Sequence, residues 1–281
     1  MNKTRIRIIS SIVGIILLLA VVLAGNLVLA VFVTLLALIG IHEFYNAASN
    51  KGIKPIRPVG YIWCFIIFFA GLHTGSAALS LPASVHSFAL ALFVTIIVLF
   101  SAVVFSQNKF NINDISVTLF GIVYIVFLLS FIVLTRNLAG GAFFIWMIFI
   151  GAWATDTFAY FSGILLGKTK ILPVISPKKS LEGSIGGAAG CIAVMLLYGV
   201  IINKNGWVGD GIALYHFVII GAVCGVISQI GDWAASAVKR FVGVKDYGSI
   251  MPGHGGVLDR FDSILFVAPV VYFYLKTIIH L

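Results

Sequence analysis

Val85-His86-Ser87-Phe88-Ala89-Leu90-Ala91-Leu92-Phe93-Val94-Thr95-Ile96-Ile97-Val98-Leu99-Phe100-Ser101-Ala102-Val103-Val104-Phe105 contains no Asp, Glu, Lys or Arg. A helix of about 20 apolar residues crosses a hydrocarbon core of roughly 30 Å, and this stretch is of that length. Its apolar residues run on without the alternation of a barrel strand. In lipid every backbone N–H and C=O must be satisfied within the chain, so the stretch predicts a membrane-spanning helix. Similar runs recur from one end of the sequence to the other. The whole chain is 61% hydrophobic and 10% charged, whereas soluble domains carry roughly 25% charged residues. There is too little charge here to cover a water-facing surface. The expected fold is therefore all-α, a polytopic integral membrane protein with about nine transmembrane helices. The spans are expected at Ile6–Ala24, Leu27–Tyr45, Val59–Leu72, Val85–Phe105, Ile115–Thr135, Ala142–Leu166, Ile185–Ile202, Ala213–Phe241 and Asp259–Ile279. The third is short and bounded by glycine, which suits a tilted or re-entrant segment or one extended past Gly75. By motif content the chain divides into N-terminal transmembrane helices, 1–135, and a motif-bearing C-terminal transmembrane region, 136–281.

Lys3, Arg5 and Arg7 precede the first apolar run, and Val22-Leu23-Ala24 resembles a leader cleavage site. The run is longer than a signal h-region of roughly 7–15 residues, and further spans follow, so a first membrane helix is expected. Cys64, Cys191 and Cys224 all fall in apolar spans, are odd in number and form no CxxC. They are expected to be small buried hydrophobes. With the N-terminus in the cytoplasm and nine spans, fifteen of the 18 Lys and Arg residues fall on the cytoplasmic side. Only Arg136, Lys204 and Lys276 fall outside. That bias predicts an outside C-terminus. It also explains the net charge of +9 by a basic face beside anionic lipid, without nucleic acid.

There are nine acidic residues, and six lie at motifs in the second half: Asp156, Glu182, Asp232, Asp246, Asp259 and Asp262. Asp156 and Asp232 sit well inside predicted helices, where an ionisable group normally faces a polar cavity. Gly221, Gly225, Ser228, Asp232, Ser236 and Lys239 share one helix face. A small-residue packing stripe accounts for Gly221 and Gly225 but not for Asp232. From Lys245 to Asp262, glycines and a proline shape a tight turn whose N–H groups are suited to an anion. His254 there either touches phosphate or holds the loop. Asp259 and Asp262 stand three apart, side by side on one turn. They are either acids at a helix N-terminus or ligands for Mg²⁺, which favours hard oxygen donors. In Ser176-Pro177-Lys178-Lys179-Ser180-Leu181-Glu182-Gly183-Ser184, two adjacent lysines can clamp a polyphosphate or simply flank a membrane helix. Asp156, Tyr160 and Gly163 share a face that suits a cavity wall.

Ser236-x-x-Lys239-Arg240, then Lys245-Asp246-x-Gly248, then Pro252-x-His254-Gly255-Gly256-x-x-Asp259-Arg260-x-Asp262 resembles the signature of the phosphatidate cytidylyltransferases, or CDP-diacylglycerol synthases. Asp156-Thr157, the 176–183 loop and Gly231-Asp232 are similar to that family too. Met251 and Ser180-Leu181 depart from its usual residues without removing a charge. The resemblance implies a nucleotidyltransferase that turns CTP and phosphatidic acid into CDP-diacylglycerol and pyrophosphate with Mg²⁺. It implies metal ligation by Asp232, Asp259 and Asp262, and catalytic roles for Lys239, Arg260 and Asp262. Substrate contacts would come from Lys178, Lys179, Ser236, Arg240, Lys245, His254, Gly255 and Gly256, with Asp156, Ser176, Glu182 and Asp246 in supporting positions. The enzyme would sit in the inner or plasma membrane with its active site on the cytoplasmic side, and a homodimer is carried as a further expectation. Two rivals are kept beside it. A CTP-dependent lipid-alcohol kinase would release CDP instead of pyrophosphate. A transporter also lines a cavity with buried charges, but transport does not call for Asp-Arg-x-Asp beside Gly-His-Gly-Gly.

Overall fold

The structure, a computed structural model, describes residues 3–72, 81–107, 109–209, 211–251, 253 and 255–281. Among the described residues nine helical stretches follow one another. They are α1 (Lys3–Leu23), α2 (Asn26–Ser49), α3 (Arg57–Leu72), α4 (Leu81–Phe105), α5 (Ile112–Arg136), α6 (Gly141–Leu166), α7 (Leu181–Lys204), α8 (Leu214–Val242) and α9 (Leu258–Ile278). Seven of these are long and apolar enough to cross a membrane, whereas α1 from Ser10 and α3 are apolar but shorter. The protein is thus an all-α polytopic membrane protein. Any extension of the third span past Gly75 lies outside the described residues.

The outward face is apolar, as lipid requires. In Phe88–Phe105 of α4 only 11% of the residues are buried, and Leu90, Phe93, Val98 and Phe105 are exposed. In water such a surface would drive aggregation; in a bilayer it meets its own solvent.

The chain forms two compact units, Met1–Val133 with Val242–Leu258, and Leu134–Phe241 with Asp259–Leu281. In the first, polar groups tie helices together inside an apolar interior. Asn111 caps α5 by accepting from the N–H groups of Asn113 (2.8 Å) and Asp114 (3.3 Å), and Asp114 accepts from the Asn111 N–H at 2.8 Å in return. The other Asp114 oxygen accepts from the Lys54 N–H at 2.6 Å. Ile56 N–H donates to the Thr118 hydroxyl at 2.8 Å, and the buried Tyr45 hydroxyl donates to the Thr118 carbonyl at 2.9 Å. One buried acid thereby satisfies both a helix start and the turn into α3.

In the second unit, glycines set how closely helices approach. A Cβ at Gly187 of α7 would lie 2.9 Å from the Thr155 carbonyl of α6. Cβ atoms at Gly221 and Gly225 of α8 would lie 2.9 Å from Ile192 Cα and 2.8 Å from Ala188 Cα of α7. Those two glycines are therefore the close-packing stripe expected of them. Between α6 and α7 the chain makes an antiparallel hairpin, β1 (Lys170–Leu172) and β2 (Ser176–Ser180), pairing Lys170 with Ser180 and Leu172 with Ser176. Cys64, Cys191 and Cys224 are free and buried.

Candidate active site

The candidate site is built in the second unit from α6, β2, α8 and the start of α9. Glu182, the second residue of α7, fixes the hairpin. Its carboxylate accepts from the N–H groups of Lys168 (3.0 Å) and Thr169 (3.2 Å) and from the Thr169 hydroxyl (3.0 Å). Ser180 caps α7 by accepting from the Gly183 N–H at 3.2 Å. The lysine segment is thus an ordered strand ending on a capped helix, where the sequence suggested a loop.

Successive residues of a strand point to opposite faces, so the two lysines separate. Lys178 is exposed, whereas Lys179 pairs with Asp232 of α8 at 2.5 Å. Burial alone would lower the pKa of Lys179, but Asp232 beside it, with Asp156 and Asp262, outweighs that and raises it above the ordinary lysine value. Lys179 is therefore a firmly protonated cation among carboxylates.

Lys239, about two turns beyond Asp232 on α8, donates to Asp259 at 2.8 Å; their side chains are 12% and 2% exposed. Asp262 is buried one turn further along α9 and accepts from the Ser263 N–H at 2.8 Å. Gly231 makes this approach of α8 to α9 possible, because a Cβ there would lie 2.8 Å from the Asp262 carbonyl. Asp156, on α6, lies where the charges of Lys179, Asp232 and Arg260 act on it. Asp262 in turn feels Asp232, Lys239 and Asp156. Four carboxylates and three cations from four elements thus share one neighbourhood.

The remaining expected residues divide between the two units. Ser236 lies between Asp232 and Lys239 on α8 and is half-buried. Arg240 reaches the Ile175 carbonyl of the hairpin at 3.5 Å, a long contact. Ser176 opens β2. In the first unit, Lys245 and Asp246 are exposed, Gly255 is in the left-handed region (φ 85°) and Gly256 is buried. His254 lies outside the described residues.

The donor set is carboxylate oxygen throughout, the chemistry that suits Mg²⁺. Among the described residues no three His, Cys, Asp or Glu side chains stand in a ligating group. At Asp232 and Asp259 a lysine ammonium lies against the carboxylate. The residues therefore fit the ion by chemistry, with two of the three expected ligands paired to lysines.

One residue absent from the sequence-based set stands out. Glu43 of α2 is 4% exposed, and its two oxygens accept from the N–H groups of Val257 (3.0 Å) and Leu258 (2.9 Å). A signal was present, because Glu43 is an acid inside an apolar span, the same criterion that singled out Asp156 and Asp232. No motif surrounded it.

The sequence model of the Cytidylyltransferase family matches residues 5–278. The chain is 35% identical over 267 residues to a phosphatidate cytidylyltransferase of Staphylococcus saprophyticus, covering 95% of this chain and 97% of that one. It is 35% identical over 269 residues to the protein of the same name from Staphylococcus aureus, and 32% identical over 269 residues to that from Staphylococcus haemolyticus, with the same coverage. The similarity runs through the apolar N-terminal helices as well as the charged motifs. The chain belongs to the cytidylyltransferase family.

Proposed function

We propose that the protein transfers the cytidylyl group of CTP to phosphatidic acid, giving CDP-diacylglycerol and pyrophosphate for phospholipid synthesis. The observation that carries this reading is the array of Asp156, Asp232, Asp259 and Asp262 with Lys179, Lys239 and Arg260 in a membrane-spanning unit. The relatives named phosphatidate cytidylyltransferase, alike over nearly the whole chain, support it.

The chemistry suits these side chains. A phosphate oxygen of the lipid attacks the α-phosphorus of CTP, a new P–O bond forms, and the bond to the departing pyrophosphate breaks. A phosphate monoester has its second pKa near 6, so the nucleophile is already largely ionised and needs no strong base. The barrier is one anion approaching another, and fixed cations and positioning lower it. Lys179, Lys239 and Arg260 are the cations at hand, with Lys178, Arg240 and Lys245 near the site's edges in sequence. Asp232, Asp259 and Asp262 would hold Mg²⁺, which when bound supplies positive charge to the phosphate oxygens. The motif region 136–281 carries the chemistry and 1–135 the remaining membrane helices. The Lys/Arg bias supports a site on the cytoplasmic side, where CTP is found, with phosphatidic acid entering from the bilayer.

Purified protein with CTP, phosphatidic acid and Mg²⁺ tests the reading. The expected products are CDP-diacylglycerol and pyrophosphate in equal amounts. CDP with a phosphorylated lipid alcohol would mark a kinase, and unchanged CTP in folded, monodisperse protein would overturn the assignment.

A further inference from the structure

Gly248, Gly256, Val257 and Leu258 gather around a buried carboxylate. Glu43 uses one oxygen for the Val257 N–H (3.0 Å) and the other for the Leu258 N–H (2.9 Å). A Cβ at Gly256 would lie 2.5 Å from one of those oxygens, and one at Gly248 would also collide with the same carboxylate. Tyr247 is buried with its ring 6.5 Å from Phe44, the neighbour of Glu43 on α2. Met251 N–H closes the turn on the Gly255 carbonyl at 2.9 Å. The anion that meets these N–H groups is thus the protein's own. At Gly248 and Gly256 the absent side chain makes room for Glu43.

Leu258 is the first residue of α9, and Asp259, Arg260 and Asp262 follow it within one turn. Whatever fixes Val257 and Leu258 fixes where that turn begins. A carboxylate at a helix start satisfies N–H groups that have no partner within the helix and also favours the helix dipole. We propose that Glu43 is a positioning residue for cytidylyl transfer. It holds Val257 and Leu258 on α2 and thereby fixes the turn that carries Asp259, Arg260 and Asp262, without itself touching substrate. This rests on the proposed function for the identity of the reaction, but the contact can be tested without turnover.

Three variants are informative: Glu43→Gln, which is isosteric but turns an N–H donor toward a backbone N–H; Glu43→Asp, which keeps the charge; and Gly248→Ala, which crowds the carboxylate. Wild type and variants are compared in detergent for monodispersity, for amide hydrogen exchange of the peptide spanning 247–262, and for kcat and KM with CTP and phosphatidic acid. Misplacing reacting groups by an ångström costs up to about 100-fold in rate. The expected result for Glu43→Gln is faster exchange at Val257 and Leu258, a kcat lower by about 10- to 100-fold, and a CTP KM within about twofold of wild type. Glu43→Asp should lie between Gln and wild type. Gly248→Ala should lower kcat, and its effect should not add to that of Glu43→Gln, since both act through one contact. Wild-type kcat in a folded Glu43→Gln variant overturns the proposal. So does a raised CTP KM at unchanged kcat, which would mean substrate contact. Failure of both Glu43 variants to fold would reduce Glu43 to a purely structural group and also overturns it. If wild type makes no CDP-diacylglycerol, the proposed function fails, while unchanged exchange at 257–258 is the result that removes the Glu43 contact.

Discussion

Asp259→Asn separates the ion pair at this carboxylate from the catalytic role proposed for it. Asp259 accepts from Lys239 at 2.8 Å, and both side chains are largely out of solvent, at 2% and 12% exposed. Removing one member of a buried ion pair leaves the other charge uncompensated and typically destabilises by about 3–5 kcal/mol. The flexible ammonium of Lys239 can relax toward Asp262, whose charge already acts with it, so the lower end, about 3 kcal/mol, is expected. Turnover should fall further. Losing one preorganised electrostatic group at a reacting phosphate costs ~10²–10³-fold, roughly 2.7–4 kcal/mol in the barrier. The assay is kcat/KM for CTP beside thermal unfolding in detergent, for Asp259→Asn, Lys239→Met and the double variant. The double variant removes both charges, so it should recover most of the lost stability while remaining at least about 100-fold slow. A double variant that regains both stability and turnover would refute the catalytic role and leave the pair purely structural.

The strand geometry splits the two lysines: Lys179→Ala should lower kcat/KM for CTP by about 10- to 100-fold, and Lys178→Ala by no more than about threefold, in steady-state kinetics. EDTA should abolish turnover of the wild type and Mg²⁺ should restore it, in the same product assay. The raised pKa of Lys179 fixes a pH dependence. Its pairing stabilises the folded state fully below the ordinary lysine value and loses that contribution only as pH rises through the higher folded value. The difference in melting temperature between wild type and Lys179→Met should therefore shrink as pH rises above about pH 11. Reporter fusions at the two ends should place the N-terminus in the cytoplasm and the C-terminus outside; finding both on one side would overturn the nine-span topology.

The membrane helices were legible because lipid enforces one local rule, a long apolar run with internal backbone hydrogen bonds. Ile115–Thr135 and Ala142–Leu166 fall within α5 and α6 for that reason. The β1–β2 hairpin was not legible. It is held by Glu182 reaching the backbone of Lys168 and Thr169, a contact between residues 13 and 14 apart in sequence that no periodicity encodes. Asp156 and Asp232 were legible because a charge in an apolar helix needs a compensating environment, and Asp262 because it stands three residues from Asp259; in the fold their charges act on one another. Their lysine partners were not, since nothing in Lys178-Lys179 says which ammonium faces inward until the strand register is known. Glu43, though an acid in an apolar span, was missed because its partners, Val257 and Leu258, lie 214 and 215 residues away and offer it backbone N–H groups that no side chain announces.

Seven of the nine acidic side chains can be assigned one by one, and the assignment bears on where a cation would be held. Asp114 ties the turn before α3 to α5, Glu43 holds the segment before α9, and Glu182 fixes the hairpin. Asp232 and Asp259 each have a lysine within 3 Å. Asp156 and Asp262 have no ion pair among the described residues, although Asp262 is buried and accepts from the Ser263 N–H next to it. In the second unit four carboxylates thus face three cations, Lys179, Lys239 and Arg260. One unit of negative charge is left over at the centre, and Asp156 and Asp262 are the two carboxylates without an ion pair among the described residues. A divalent ion there would turn that surplus into a net positive charge, which favours the approach of a nucleotide's phosphates. This places Asp262, more than Asp232 or Asp259, where added positive charge gains most. The consequence is measurable: Asp262→Asn should weaken Mg²⁺ activation, read as the Mg²⁺ concentration for half-maximal turnover, by at least about tenfold. Asp259→Asn should change that concentration less while lowering the maximal rate as much or more. The reverse order would show that the lysine-paired carboxylates, and not the unpaired one, hold the ion.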